Sequence, residues 1–118
     1  YSTKSNGGRG MAKNENAYQA YLIKCIEKRF QGSIVLKNDP NYKQGIPDLT
    51  VLYNDRWATL EVKKSKDASK RPNQDYYVER MSNMSYSSFI YPENEEEVLD
   101  AMARSLSTKR KTCVPISE

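Results

Sequence analysis

The stretch Gly45-Ile46-Pro47-Asp48-Leu49-Thr50-Val51-Leu52-Tyr53-Asn54-Asp55-Arg56-Trp57-Ala58-Thr59-Leu60-Glu61-Val62-Lys63 decides the fold. Two runs rich in β-branched and aromatic residues, Asp48 to Tyr53 and Trp57 to Lys63, flank an Asn54-Asp55 turn, and this pattern predicts a β-hairpin. Side chains alternate along a strand. In the return strand Trp57, Thr59, Glu61 and Lys63 therefore share one face, and Ala58, Leu60 and Val62 the other.

Towards the N-terminus, Lys37 to Pro47 holds Asn38, Asp39, Pro40, Asn41, Gly45 and Pro47, a density of turn formers that predicts a loop. Ile34 to Leu36 before it reads as a short strand. From Asn16 to Phe30 apolar residues recur at Tyr18, Leu22, Cys25 or Ile26, and Phe30, the period of a helix capped by Asn14. Towards the C-terminus, Lys64 to Arg71 is a basic loop, and Pro72-Asn73 opens a helix to about Asn83. Ser87 to Tyr91 is a strand. Pro92 and Asn94 open a last helix with Glu95, Glu96 and Glu97 at its positive end and Val98, Leu99, Met102 and Leu106 as its apolar stripe. The order α-β-β-β-α-β-α implies an α/β fold, a small mixed sheet of about four strands flanked by helices. If the hairpin's return strand pairs in parallel with the last strand, the helix between them makes a right-handed crossover.

The chain has 118 residues, 37% of them hydrophobic, enough for one core. Residues 14–107 are expected to form that domain. Residues 1–13 are expected to be disordered or non-native, with Met11 able to serve as a native start, and residues 108–118 to form a flexible basic tail around Lys109 to Lys111. No run reaches the roughly 18 to 20 apolar residues of a membrane span, and no signal-peptide core precedes the domain, so a soluble, intracellular protein is expected. Cys25 and Cys113 lie far apart with no CxxC pair, which signals neither a disulfide framework nor a thiolate zinc site. Cys25 is expected in the core. The absence of histidine excludes Ser-His-Asp and Cys-His catalysis and histidine-ligated zinc. Any catalysis must run on carboxylates, lysine, tyrosine or a hard metal ion.

The chemistry converges on Asp48 and, after 12 intervening residues, Glu61-Val62-Lys63. Antiparallel pairing brings Asp48, at the start of one strand, beside Glu61, near the end of the other. Two carboxylates at one end of a sheet seat Mg²⁺ or Mn²⁺, which prefer oxygen ligands and keep some waters. The backbone carbonyl of Val62 can add a ligand. Lys63, on the same face as Glu61, can orient or deprotonate a water or stabilise transition-state charge. The net charge is +4, and Lys63, Lys64, Lys66, Lys70 and Arg71 cluster beside Tyr76 and Tyr77, as suits a polyanion. Lys43 offers a further contact from the preceding loop. Each element has a plainer reading: Asp48 as a turn cap, ExK as an ordinary exposed strand, the lysines as a solvated face. Jointly, on one hairpin, they point to phosphodiester chemistry.

At Pro47-Asp48 and Glu61-Val62-Lys63 the chain resembles the PD-(D/E)XK nuclease superfamily. Through the helix beginning at Glu15, the Gly45-to-Leu49 loop, the Glu61-to-Lys63 strand and Gln74 opening the next helix, it looks most like the VRR-NUC family. The resemblance spans about Glu15 to Tyr91 and implies a restriction-endonuclease-like core and a Mg²⁺- or Mn²⁺-dependent DNA endonuclease, structure-selective for branched or junction DNA or nicking. It also implies Asp48 and Glu61 as metal ligands, Lys63 as the catalytic lysine, Glu15 as the acid of the first helix and Gln74 as a glutamine beside the site. Glu27 competes with Glu15, although Lys24, Lys28 and Arg29 around it give it ordinary helix partners. The family's domains occur in phage and repair proteins, and the phage members resemble homodimeric junction resolvases, so the resemblance admits a phage-encoded enzyme acting in the cytoplasm of its host. One site nicks one strand at a time, so symmetrical cutting requires a homodimer. A protein partner supplying specificity fits as well. The alternatives are a nucleic-acid-binding module without cleavage and a small structural or inhibitory protein.

Overall fold

The computed structural model describes residues 14–70 and 72–107; Arg71, the N-terminal segment and the basic tail lie outside the described residues. Seven elements follow one another in the anticipated order: α1 (Glu15–Arg29), β1 (Ile34–Lys37), β2 (Leu49–Tyr53), β3 (Arg56–Val62), α2 (Pro72–Met84), β4 (Tyr86–Ile90) and α3 (Glu95–Ser107). Several boundaries move by one residue. Asp48 and Lys63 fall just outside the strands that the sequence assigned them to, at the sheet's rim.

The sheet runs β1-β2-β3-β4, with the first two pairings antiparallel and β3-β4 parallel. The hairpin is as expected. Asn54 adopts a φ of 57°, in the left-handed region that asparagine tolerates better than most residues. Asn14 caps α1, its side-chain oxygen accepting from the N–H groups of Asn16 and Ala17.

Register sorts the two faces. Leu49 pairs with Leu60 and Val51 with Ala58, while Val62 pairs with Ile90, and all six side chains are buried on one face. They form a continuous core with Tyr18, Leu22, Ile26 and Phe30 of α1 and Val98, Leu99, Met102 and Leu106 of α3. Cys25 departs from expectation. It is half-buried on the shoulder of the α1 stripe, because the helical period closes through Leu22 and Ile26. A surface ion pair, Arg29 to Asp100, also links α1 and α3, but exposed pairs of this kind stabilise little.

The opposite face is polar where α2 covers it. Thr59 donates to Ser87 across the parallel pair at 2.8 Å, and lies 3.4 Å from the sulfur of Met81. Farther along this face, over β1 and β2, Ile34, Leu36 and Leu52 remain exposed. The three-layer arrangement thus buries Glu61, between α2 and the sheet, without placing it in the apolar core.

Leu22 is fully buried where α1 meets the sheet. Leu22→Ala should cost about 2–5 kcal/mol, read as a lower urea midpoint with an unchanged slope. A cost within a few tenths of a kcal/mol would show that α1 does not seal this core.

Candidate active site

Because Leu49 pairs with Leu60, the next residues outward, Asp48 and Glu61, face each other on the α2 side of the sheet. The hairpin alone brings them together. Asp48 Oδ2 also accepts the N–H of Val62 at 3.0 Å, which pins its carboxylate against β3. Lys63 continues the parallel ladder by donating its N–H to the carbonyl of Ile90.

Gln74, in the first turn of α2, joins the acid to the base. Its Nε2 donates to Glu61 Oε2 at 2.7 Å, and its Oε1 accepts from Lys63 Nζ at 2.8 Å. Lys63 Nζ donates also to the carbonyl of Ser69 at 3.1 Å and lies 3.8 Å from Glu61 Oε2. Only 2% of Glu61 and 7% of Lys63 are exposed, so these charges are held by geometry and not by water.

These groups line a cleft of about 350 Å³ together with Glu15, Lys64, Ala68 and Ser69. Five residues singled out as catalytic from the sequence (Asp48, Glu61, Lys63, Glu15 and Gln74) therefore meet at one opening. Glu15, not Glu27, is the helix acid that reaches it; Glu27 lies exposed farther along α1. The end of α1 that carries Glu15 is tied to α3, since Tyr18 and Tyr21 donate to the two oxygens of Glu95 at 3.0 and 3.1 Å. Burial first, then the Glu95 carboxylate, pushes the Tyr18 phenol well above its ordinary range.

Among the anticipated phosphate contacts, Lys64 lines the cleft, whereas Lys43, Lys66 and Lys70 are exposed outside its lining. Lys70 Nζ sits 4.4 Å from the centre of the Phe89 ring, and the Lys66 N–H donates to Glu93, so the basic loop is tethered to the edge of the domain. Arg71 lies outside the described residues. Val62 turns its side chain into the core and meets Asp48 through its N–H.

Three contributions escaped the sequence reading. Ser69 acts through a carbonyl, which no side-chain pattern announces. Asn38 donates to the Pro47 and Asp48 carbonyls and to the Thr50 hydroxyl, but looked like one turn former among many. Gly45 has a φ of 91°, and a Cβ there would lie 2.3 Å from that of Asn73, so this glycine lets the loop before Asp48 touch the helix turn that carries Gln74.

The donor set fits a hard divalent cation. Glu61 Oε1 is buried without a hydrogen-bond partner and belongs to a carboxylate facing that of Asp48. Among the described residues, no three acidic or thiol side chains close into a cage, so Glu15 stands at the cleft without completing one. A two-carboxylate seat suits Mg²⁺ or Mn²⁺, which retain waters and take substrate oxygens. Without a cation, burial and then the Asp48 charge push the Glu61 carboxyl up to about 8, against a pull downward from Lys63. Burial likewise raises Asp48, partly offset by its bond from Val62.

No protein-family model matches this chain, and no curated protein matches it. Among solved structures, a chain described as a VRR_NUC domain superposes with a TM-score of 0.53 at 24% identity, covering 69% of this chain and 92% of that one. The architecture is that of a VRR_NUC-like domain.

The raised carboxyls fix a pH dependence. A folded-state value of about 8 against an ordinary 4.5 means that the metal-free fold has its full stability from Glu61 below about 4.5 and loses it as pH rises through 8. In EDTA the melting temperature should fall across this window, and Glu61→Gln should flatten most of the fall. An equally steep profile in the variant would place the titration elsewhere.

Proposed function

We propose that this chain is a Mg²⁺- or Mn²⁺-dependent nuclease that hydrolyses phosphodiester bonds in DNA. The observation that carries the reading is the closed set Glu61-Gln74-Lys63 beside Asp48, which holds a buried cation next to an acidic seat with an unpartnered oxygen. The VRR_NUC-like fold supports it.

In this reading Asp48 and Glu61 would hold the cation, with the Val62 carbonyl as a further oxygen donor, while Glu15 lines the cleft without completing the seat. The cation, once bound, supplies Lewis acidity for the phosphoryl group and lowers the pKa of a bound water. Lys63, fixed by Gln74 and Ser69, orients the attacking water or stabilises the negative charge that builds on the phosphoryl oxygens. Gln74 keeps the ammonium group from collapsing into a tight ion pair with Glu61. Lys64 takes the phosphate nearest the cleft, while the exposed Lys43, Lys66 and Lys70 add contacts to the backbone beyond it, a salt-sensitive contribution.

The reading extends to a homodimer. One site cuts one strand, so symmetrical cleavage of branched or junction DNA needs two chains related by a two-fold axis. Ile34, at 57% exposure, pairs with Leu52 on the open face of β1 and β2 and offers that pair an apolar surface. A separate protein partner would then supply any sequence specificity.

Two experiments test this. Supercoiled, linear and four-way-junction DNA should be cut with Mg²⁺ or Mn²⁺ and not in EDTA. Lys63→Ala should lower turnover about 100-fold or more with cation binding retained. Binding without cutting under every metal would favour a non-catalytic binding module. By light scattering, the parent should have twice the chain mass and Ile34→Lys/Leu52→Lys the monomer mass; a monomeric parent at micromolar concentration would reject the dimer.

A further inference from the structure

The cation seat depends on a residue that does not belong to it. Asp48 precedes β2 and follows Pro47, which has no N–H to anchor the chain, and the segment leading to it is rich in turn formers. Its backbone is nevertheless held firmly. The N–H of Asn38 donates to the Asp48 carbonyl at 2.8 Å, and Asn38 Nδ2 donates both to the Pro47 carbonyl and to Thr50 Oγ1, each at 2.9 Å. Asn38 follows the last residue of β1, and Lys37 pairs with Leu49, so the ladder delivers Asn38 opposite Asp48.

We propose that Asn38 is a positioning residue for the cation site: by gripping residues 47, 48 and 50 at once it fixes the Asp48 carboxylate opposite Glu61 and thereby sets cation affinity. The proposal rests on the metal-dependent reading above. The side chain has two amide hydrogens, and two acceptors take them. Aspartate, though isosteric, would set an acceptor against the Pro47 carbonyl and add a negative charge next to Asp48; serine is too short to span both partners. From the other side Asp48 is held by one bond, from the Val62 N–H. Losing the Asn38 side-chain amide would leave the Asp48 carbonyl on the residue-38 N–H and the carboxylate on β3, but would release Pro47 and Thr50 on either side, so that Asp48 would lose the clamp that fixes its orientation. Groups that hydrogen-bond metal ligands commonly control affinity by about 10- to 100-fold, and the Asn38 side chain, which holds Asp48 through Pro47 and Thr50 on either side, belongs at the lower end of that range.

The test is Mn²⁺ titration of the full chain by calorimetry, with folding checked by circular dichroism. Asn38→Ala should bind Mn²⁺ about 10-fold or more weakly, and Thr50→Val, which removes one acceptor, should weaken it several-fold. Ser87→Ala loses a buried hydrogen bond outside the cleft and should lower the melting temperature while keeping parental affinity. Parental affinity in both Asn38→Ala and Thr50→Val overturns the proposal, as does an equal loss in Ser87→Ala, which would mark general loosening. If Asn38→Ala does not fold, Thr50→Val decides alone: weaker binding supports the proposal and unchanged binding overturns it. A parent that takes up no Mn²⁺ overturns the metal reading itself, and the positioning role falls with it.

Discussion

A single amide organises this protein's cleft. Gln74 donates to Glu61 and accepts from Lys63, and the Lys63 ammonium, which can only donate, admits only that orientation. The constraint reaches outward through the fold. For the amide to stand there, α2 must begin beside the end of β3, which requires β3 and β4 to run parallel with α2 between them. The Gly45 loop must touch Asn73, which a side chain at position 45 would prevent. Strand pairing, crossover and loop conformation thus meet the same demand, to keep a buried lysine and a buried carboxylate close but separately satisfied.

That arrangement divides the sheet's two faces by chemistry. The α1 and α3 side holds the apolar core. On the α2 side, Thr59, Ser87, Glu61 and Lys63 are all buried polar groups, an expensive choice unless each finds a partner. Nearly all do. The exception on this face is Glu61 Oε1, which lies opposite Asp48, where a bound cation would satisfy it. In the absence of a cation the penalty appears as carboxyls pushed upward in pKa.

Much of this was legible from residue order. The alternation of Trp57 to Lys63 placed Glu61 and Lys63 on one face, the Asn54-Asp55 turn fixed which residues oppose each other, and α3's stripe of Val98, Leu99, Met102 and Leu106 is the buried one. What stayed hidden was of another kind. Asn38 could be recognised as a turn former but not as a clamp, because its partners, two carbonyls and the Thr50 hydroxyl, are brought near only by the ladder. The choice between Glu15 and Glu27 depended on the direction in which α1 crosses the sheet, which helical periodicity does not encode. Cys25 lay within one step of the stripe and was read as core, although the helix buries Leu22 and Ile26 and leaves the thiol half-covered.

The most direct test is anomalous diffraction at the manganese edge from crystals grown with Mn²⁺. One peak should stand between the carboxylates of Asp48 and Glu61, within coordination distance of Glu61 Oε1, with Gln74 still bridging Glu61 and Lys63. A cleft without a peak at saturating Mn²⁺, or Glu61 Oε1 bonded instead to a protein group, would contradict the reading of this site as a cation-dependent reaction centre.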